Sequence, residues 1–160
     1  MKTENKPANT APAACWKDIL ARAMANEESS AAFYRQAAAR MTNPVTRDAL
    51  EGLMRDELEH RQLIGEFQSG RRTLPEGHSS GGSLVECLGA PDFTADLSPA
   101  NAFLLAARKE KMAVEFYETW AKLYPGGAEQ ELLLRLAEVE RRHKQKVEDL
   151  YTNTAFPEAW

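Results

Sequence analysis

The chain has 160 residues, a formal net charge of −4 and 28% charged residues. That length suits one domain with a sizeable core, and the mildly acidic balance gives no electrostatic footprint for nucleic acid. No run approaches the roughly 18 uninterrupted apolar residues of a membrane span, so no membrane partner is expected.

Residues 1 to 14 are rich in Ala, Thr, Asn and Pro and lack an apolar segment. They are expected to be a disordered tail rather than a secretion signal. Ala13-Ala14-Cys15 has the small residues of a lipoprotein cleavage site but no hydrophobic segment before it. Cys15 and Cys87 form neither a disulfide framework nor a C-x-x-C knuckle. Two reduced thiols in a cytoplasmic protein are the expectation.

The first helix begins at Trp16, with Leu20, Ala23, Met24, Glu27, Ala31, Tyr34, Ala38 and Met41 on one face. Thr42-Asn43-Pro44 ends it, because a residue before Pro disfavours the helical region and Pro then suits the next first turn. The second helix runs from about 44 to 68, with Ser69-Gly70 as its C-terminal cap. Residues 69 to 98 break the pattern with Pro75, Gly77, Gly81, Gly82, Gly89 and Pro91, and read as a long crossover. Ser83 to Leu88 has the pattern of one or two helical turns. Ser98-Pro99 opens a third helix that carries Phe103, Ala106, Glu110, Ala113, Tyr117, Ala121 and Tyr124 on one face. Pro125-Gly126-Gly127 stops it, and a fourth helix runs from about 128 to 152 before a short tail, 153–160. The expected fold is all-α: two antiparallel helix pairs joined by the crossover, which is the layout of a ferritin-like four-helix bundle over 15–152.

The fourth helix carries Leu133, Leu136, Glu140, His143, Val147 and Leu150 on one face, an apolar stripe interrupted by Glu-x-x-His. The second helix repeats the arrangement as Leu50, Leu53, Glu57, His60, Ile64 and Phe67. A shift of 83 residues relates the two halves: 27 to 110, 34 to 117, 57 to 140 and 60 to 143. All four glutamates fall near mid-helix, so antiparallel packing brings four carboxylates and two imidazoles to one level. Buried carboxylates repel strongly in a low dielectric, and two divalent cations would neutralise them. The expected ligands are therefore Glu27 and Glu110, terminal on one metal each; Glu57 and Glu140, bridging; and His60 and His143, capping one each. These donors suit iron or manganese and also admit zinc or cobalt. A single Glu-x-x-His is usually a surface or salt-bridge pair; two of them in register with two further glutamates share one explanation.

Tyr34 and Tyr117 lie two turns after Glu27 and Glu110 on the same face. They are either hydrogen-bond partners of a ligand carboxylate from another helix or bundle aromatics with one polar end. Trp16, Trp120 and Met112 read as packing residues. His78 sits in a Gly/Ser-rich stretch without a partner in sequence. Glu28, Glu59, Glu115, Glu118 and Glu138 read as solvated faces.

At Glu27 through Phe33-Tyr34, Asp56-Glu57-Leu58-Glu59-His60, Glu110 through Phe116-Tyr117 and Glu140-Arg141-Arg142-His143, the chain resembles the rubrerythrin branch of the ferritin-like superfamily. The resemblance covers about 16 to 152. It implies a carboxylate-bridged di-iron centre, oxidoreductase chemistry with peroxide or oxygen, and a role in oxidative stress or iron handling. It also implies a homodimer, for which Leu84, Val85, Leu88 and Phe93 are contact candidates. Two departures are plain. The paired C-x-x-C motifs of a rubredoxin domain are absent, so electrons would come from an external electron-donor protein. Ala113 stands where rubrerythrins carry a further glutamate, leaving a symmetric six-ligand set like that of bacterioferritin. Competing expectations are a non-enzymatic iron-binding or storage protein and a metal-free helical interaction protein.

Overall fold

The computed structural model describes residues 16–70 and 97–155, which form four helices. They are α1 (Trp16–Arg40), α2 (Pro44–Gln68), α3 (Pro99–Leu123) and α4 (Gly127–Ala155). The N-terminal stretch, the crossover between α2 and α3 with its dimer candidates, both cysteines and His78 lie outside the described residues.

The helix starts follow local chemistry. Asn43 caps α2, its side chain accepting from the Thr46 N–H at 3.1 Å, and Pro44 begins the first turn where no N–H is needed. Ser98 does the same for α3, accepting from Asn101 N–H at 3.2 Å ahead of Pro99. Gly126 and Gly127 both take positive φ, 83°, and turn the chain between α3 and α4. Each hairpin turn is also laced by one side chain. Arg47 donates to the Met41 carbonyl at 2.8 and 3.2 Å, and Gln130 donates to the Ala121 carbonyl at 3.0 Å while accepting from Gly126 N–H at 2.7 Å. The helix α4 runs past residue 152 to Ala155. Thr152 and Thr154 return their hydroxyls to the carbonyls of Glu148 and Leu150, and the next breaker is Pro157.

α1 packs mainly on α2 and α3 mainly on α4, while α1 and α3 touch more lightly. The apolar core is in two parts. One joins Tyr34, Ala38, Leu50, Leu53, Phe103, Ala106 and Val147. The other joins Leu20, Ala23, Ile64, Tyr117, Leu132, Leu133 and Leu136. The first collects the C-terminal halves of α1 and α4 with the N-terminal halves of α2 and α3; the second collects the opposite ends. Hence α1 runs against α2 and α3 and along α4. α2 and α3 follow each other in the chain and run parallel, so a tight turn cannot join them and a long connection separates them in sequence. Between the two apolar layers lies a polar one.

Candidate metal centre

The polar layer holds Glu27, Glu57, His60, Glu110, Glu140 and His143, every one of them buried; the four glutamates are at most 2% exposed. Each helix delivers its glutamate from mid-length, and α2 and α4 deliver a histidine one turn later on the same face. Glu57, His60, Glu140 and His143 each offer one ligand atom within 4.8 Å of the others, a group that can hold a metal ion.

The arrangement is close to two-fold. His60 Nδ1 lies 3.1 Å from Glu140 Oε1, and His143 Nδ1 lies 3.1 Å from Glu57 Oε1. His60 Nδ1 is also 3.4 Å from Glu27 Oε2, and His143 Nδ1 is 3.6 Å from Glu140 Oε2. The imidazoles stack with centroids 5.0 Å apart. Tyr34 of α1 donates to Glu110 of α3, and Tyr117 of α3 donates to Glu27 of α1. The tyrosines therefore hydrogen-bond a carboxylate of the opposite hairpin, as well as packing in the two apolar layers.

Burial and mutual repulsion shift the titration of these groups. Burial pushes the Glu57 carboxyl up to about 8, with Glu140 and Glu27 adding repulsion and His143 opposing. Burial also pushes Glu110 up, reinforced by Glu140 and Glu27. Burial alone would lower both imidazoles. Contacts with Glu140 and Glu27 instead hold His60 up to about 11, and those with Glu140 and Glu57 hold His143 up to about 9. Glu140, despite its burial, is held below the usual carboxylate range by His143 and His60. Tyr117 is pushed up by burial and by the carboxylates around it.

The donor set suits a metal ion. Glu27 Oε2, His60 Nδ1 and both oxygens of Glu140 are buried, yet none has a well-directed hydrogen bond. His143 Nδ1 and Glu57 Oε1 share a hydrogen bond at 3.1 Å, whereas the contacts of His60 with Glu140 and Glu27, and of His143 with Glu140, are charge contacts off the hydrogen-bond axis. Buried polar atoms left in this state are costly, about 1–3 kcal/mol each, and a cation among them would satisfy several at once.

Around the centre, the residues read as solvated faces separate. Glu28 and Glu115 are exposed, at 52% and 62%, and Glu28 pairs with Arg61. Glu138 is largely covered, because Arg141 and Arg142 fold over it. Glu118 is half-buried under Arg141. Trp16 packs against Phe67 and Tyr124, and Trp120 against Phe116. Met112 does not pack: it is 68% exposed, since two residues past Glu110 is about 200° around the helix from the core. It rims a pocket of about 460 Å³ between α1 and α3, lined also by Arg22, Asn26, Ser30, Lys109 and Ala113. Periodicity did not reveal this pocket, because its walls come from the outer faces of two helices distant in sequence.

One further residue was not singled out from sequence. Asp56 Oδ2 lies 3.4 Å from His143 Nε2, on the side of the ring away from the carboxylates, and 3.8 Å from Lys146 Nζ. The available signal was an acidic residue directly before the motif glutamate of α2.

No family model matches this chain, and no curated protein matches it. Among solved structures, the chain is similar to a hypothetical protein from Pyrococcus furiosus, with a TM-score of 0.66 at 18% identity over 95% of this chain and 97% of that one. At that identity the likeness shows the fold, an all-α helical bundle. No helix among the described residues is long and apolar enough to cross a membrane.

Proposed function

We propose that this chain is a di-iron carboxylate protein, an oxidoreductase that reduces peroxide or oxygen. The observation that carries the reading is the buried group Glu57, His60, Glu140 and His143, flanked by Glu27 and Glu110 and holding polar atoms without directed partners. Glu27 and His60 would serve one ion and Glu110 and His143 the other, with Glu57 and Glu140 shared. Bound iron would supply one electron per ion, two in all, which with two protons take hydrogen peroxide to two waters. The chain's own residues do the rest. Tyr34 and Tyr117 aim the Glu110 and Glu27 carboxylates across the bundle. The apolar layers above and below exclude bulk water and hold the ligand helices at fixed spacing. With no C-x-x-C pair in the chain, electrons would return from a separate donor protein. Manganese or zinc would fit the same donors without the same redox role.

A homodimer belongs to this proposal. Val45, Met112, Leu123 and Leu134 are exposed apolar side chains spread over α2, α3 and α4. Sedimentation at equilibrium checks it, a monomer at micromolar concentration ruling it out.

A second reading, metal binding without turnover, is favoured by Ala113, which offers no further carboxylate beside Glu110. One experiment separates the readings: metal content per chain, on untagged protein from iron-supplemented cells, for the wild type and Glu57→Ala/Glu140→Ala. About two iron per chain, lost in the variant, with rapid peroxide oxidation of the ferrous protein, is the expected result. Iron retained without peroxide oxidation leaves the binding protein. Negligible metal in both, even after anaerobic ferrous loading, leaves a metal-free interaction bundle, in which apolar replacements of the six residues would stabilise the fold.

A further inference from the structure

The 83-residue repeat makes the centre nearly two-fold, and its clearest departure from symmetry falls on the histidines. His143 is held on both sides: Nδ1 faces Glu57 and Glu140, and Nε2 meets Asp56 at 3.4 Å. His60 presents Nδ1 inward to Glu140 and Glu27, but among the described residues no carboxylate stands at its Nε2. The repeat explains why. The residue one before the motif glutamate is Asp56 in α2, within reach of the α4 histidine. Its counterpart one before Glu140 is Val139, which has nothing to accept with.

We infer that the two metal positions are unequal, and that the one capped by His143 is the tighter, because Asp56 orients that ring and Val139 leaves the other unsupported. The inference rests on the di-metal reading above. A carboxylate that accepts the outer N–H of a ligating imidazole fixes the tautomer with the lone pair inward and increases its donor strength; losing such a partner typically costs about 10–100-fold in metal affinity. Asp56 is itself steadied by Lys146 at 3.8 Å. Because its side chain is 40% exposed, removing it opens no hole in the core. Asp56 is thus a positioning residue, acting on the metal only through His143.

The test is anaerobic titration of the metal-free protein with Co²⁺ alone, followed by calorimetry and visible absorption, with circular dichroism to confirm the fold. The wild type is expected to bind two cobalt ions in steps about 10-fold or more apart. Asp56→Ala should weaken the first step by about 10–100-fold and leave the second, so that the two merge. Asp56→Asn, which keeps an acceptor without the charge, should restore part of the gap. Val139→Asp should tighten the second step and close the gap from the other side. Two equal steps in the wild type, or an Asp56→Ala variant that weakens both steps alike or neither, would overturn the inference while leaving the di-metal reading intact. No cobalt uptake, or uptake unchanged in Glu57→Ala/Glu140→Ala, would overturn both.

Discussion

The two hairpins, α1–α2 and α3–α4, are copies that agree at the centre and at the turns and disagree elsewhere. Each supplies a mid-helix glutamate, a tyrosine aimed at the other hairpin and a Glu-x-x-His. Each turn is laced by the residue at the same repeat position, Arg47 in one and Gln130 in the other, although their chemistry differs. Between those fixed points the copies diverge. Where α2 has Arg61 and Gly65, α4 has Lys144 and Glu148, a mostly buried ion pair at 3.3 Å. Ser30 faces Ala113 across the repeat, and Asp56 faces Val139. The difference teaches that symmetry is kept in the six side chains that must meet at one level and is relaxed in the residues immediately around them.

The comparison can be broken in several ways, beginning with the core. Leu53 and Leu136 are repeat partners in opposite apolar layers, both essentially unexposed. Leu53→Ala and Leu136→Ala should each cost about 2–5 kcal/mol in chemical denaturation. A clear difference between them would show that one hairpin carries the stability of both. The tyrosines come next. Tyr34→Phe and Tyr117→Phe each remove one hydrogen bond to a buried carboxylate, about 1–3 kcal/mol, and should do so equally.

Protons provide a further test. The folded values of Glu57 and His143 lie above their ordinary values, rising from 4.5 to about 8 and from 6.5 to about 9. A raised folded value favours the protonated folded state, so this stability is present at low pH and lost as pH rises. The loss from Glu57 runs from about 4.5 to 8 and that from His143 from about 6.5 to 9. Metal-free protein should therefore melt at a lower temperature at pH 9 than at pH 6.5, and metal loading, which displaces the same protons, should tighten over that interval. A melting temperature that does not fall would show that other groups in the layer compensate. The smallest effects belong to the turns. Arg47→Ala and Gln130→Ala each remove side-chain lacing, about 0.5–1.5 kcal/mol, readable as a small shift in denaturation midpoint.

The sequence showed what repeats at helical spacing. Glu27, Glu57, Glu110 and Glu140 interrupt apolar stripes, and a charged residue in a stripe declares a partner even when the partner is unknown. What it hid depends on which helix faces which. Tyr34 meets Glu110, 76 residues away, rather than a carboxylate of its own hairpin, and only the antiparallel crossing of α1 and α3 decides that. Asp56 looks like one more charge on a surface until α4 is laid beside it. Glu138 looked solvated because nothing in its spacing shows that Arg141 and Arg142 fold back over it.

The light touch between α1 and α3 has a consequence of its own. Each hairpin is well knit internally, and both Tyr–Glu bonds between α1 and α3 end on candidate ligands. The halves thus meet along a seam held by the two apolar layers and, between them, by the centre itself. An ion seated there would act as a clasp, adding its binding energy to the closure of the seam, and an empty centre would let the hairpins part locally before either unravels. Since a protease cuts what opens, the supply of metal would set how long the protein lasts as well as what it does.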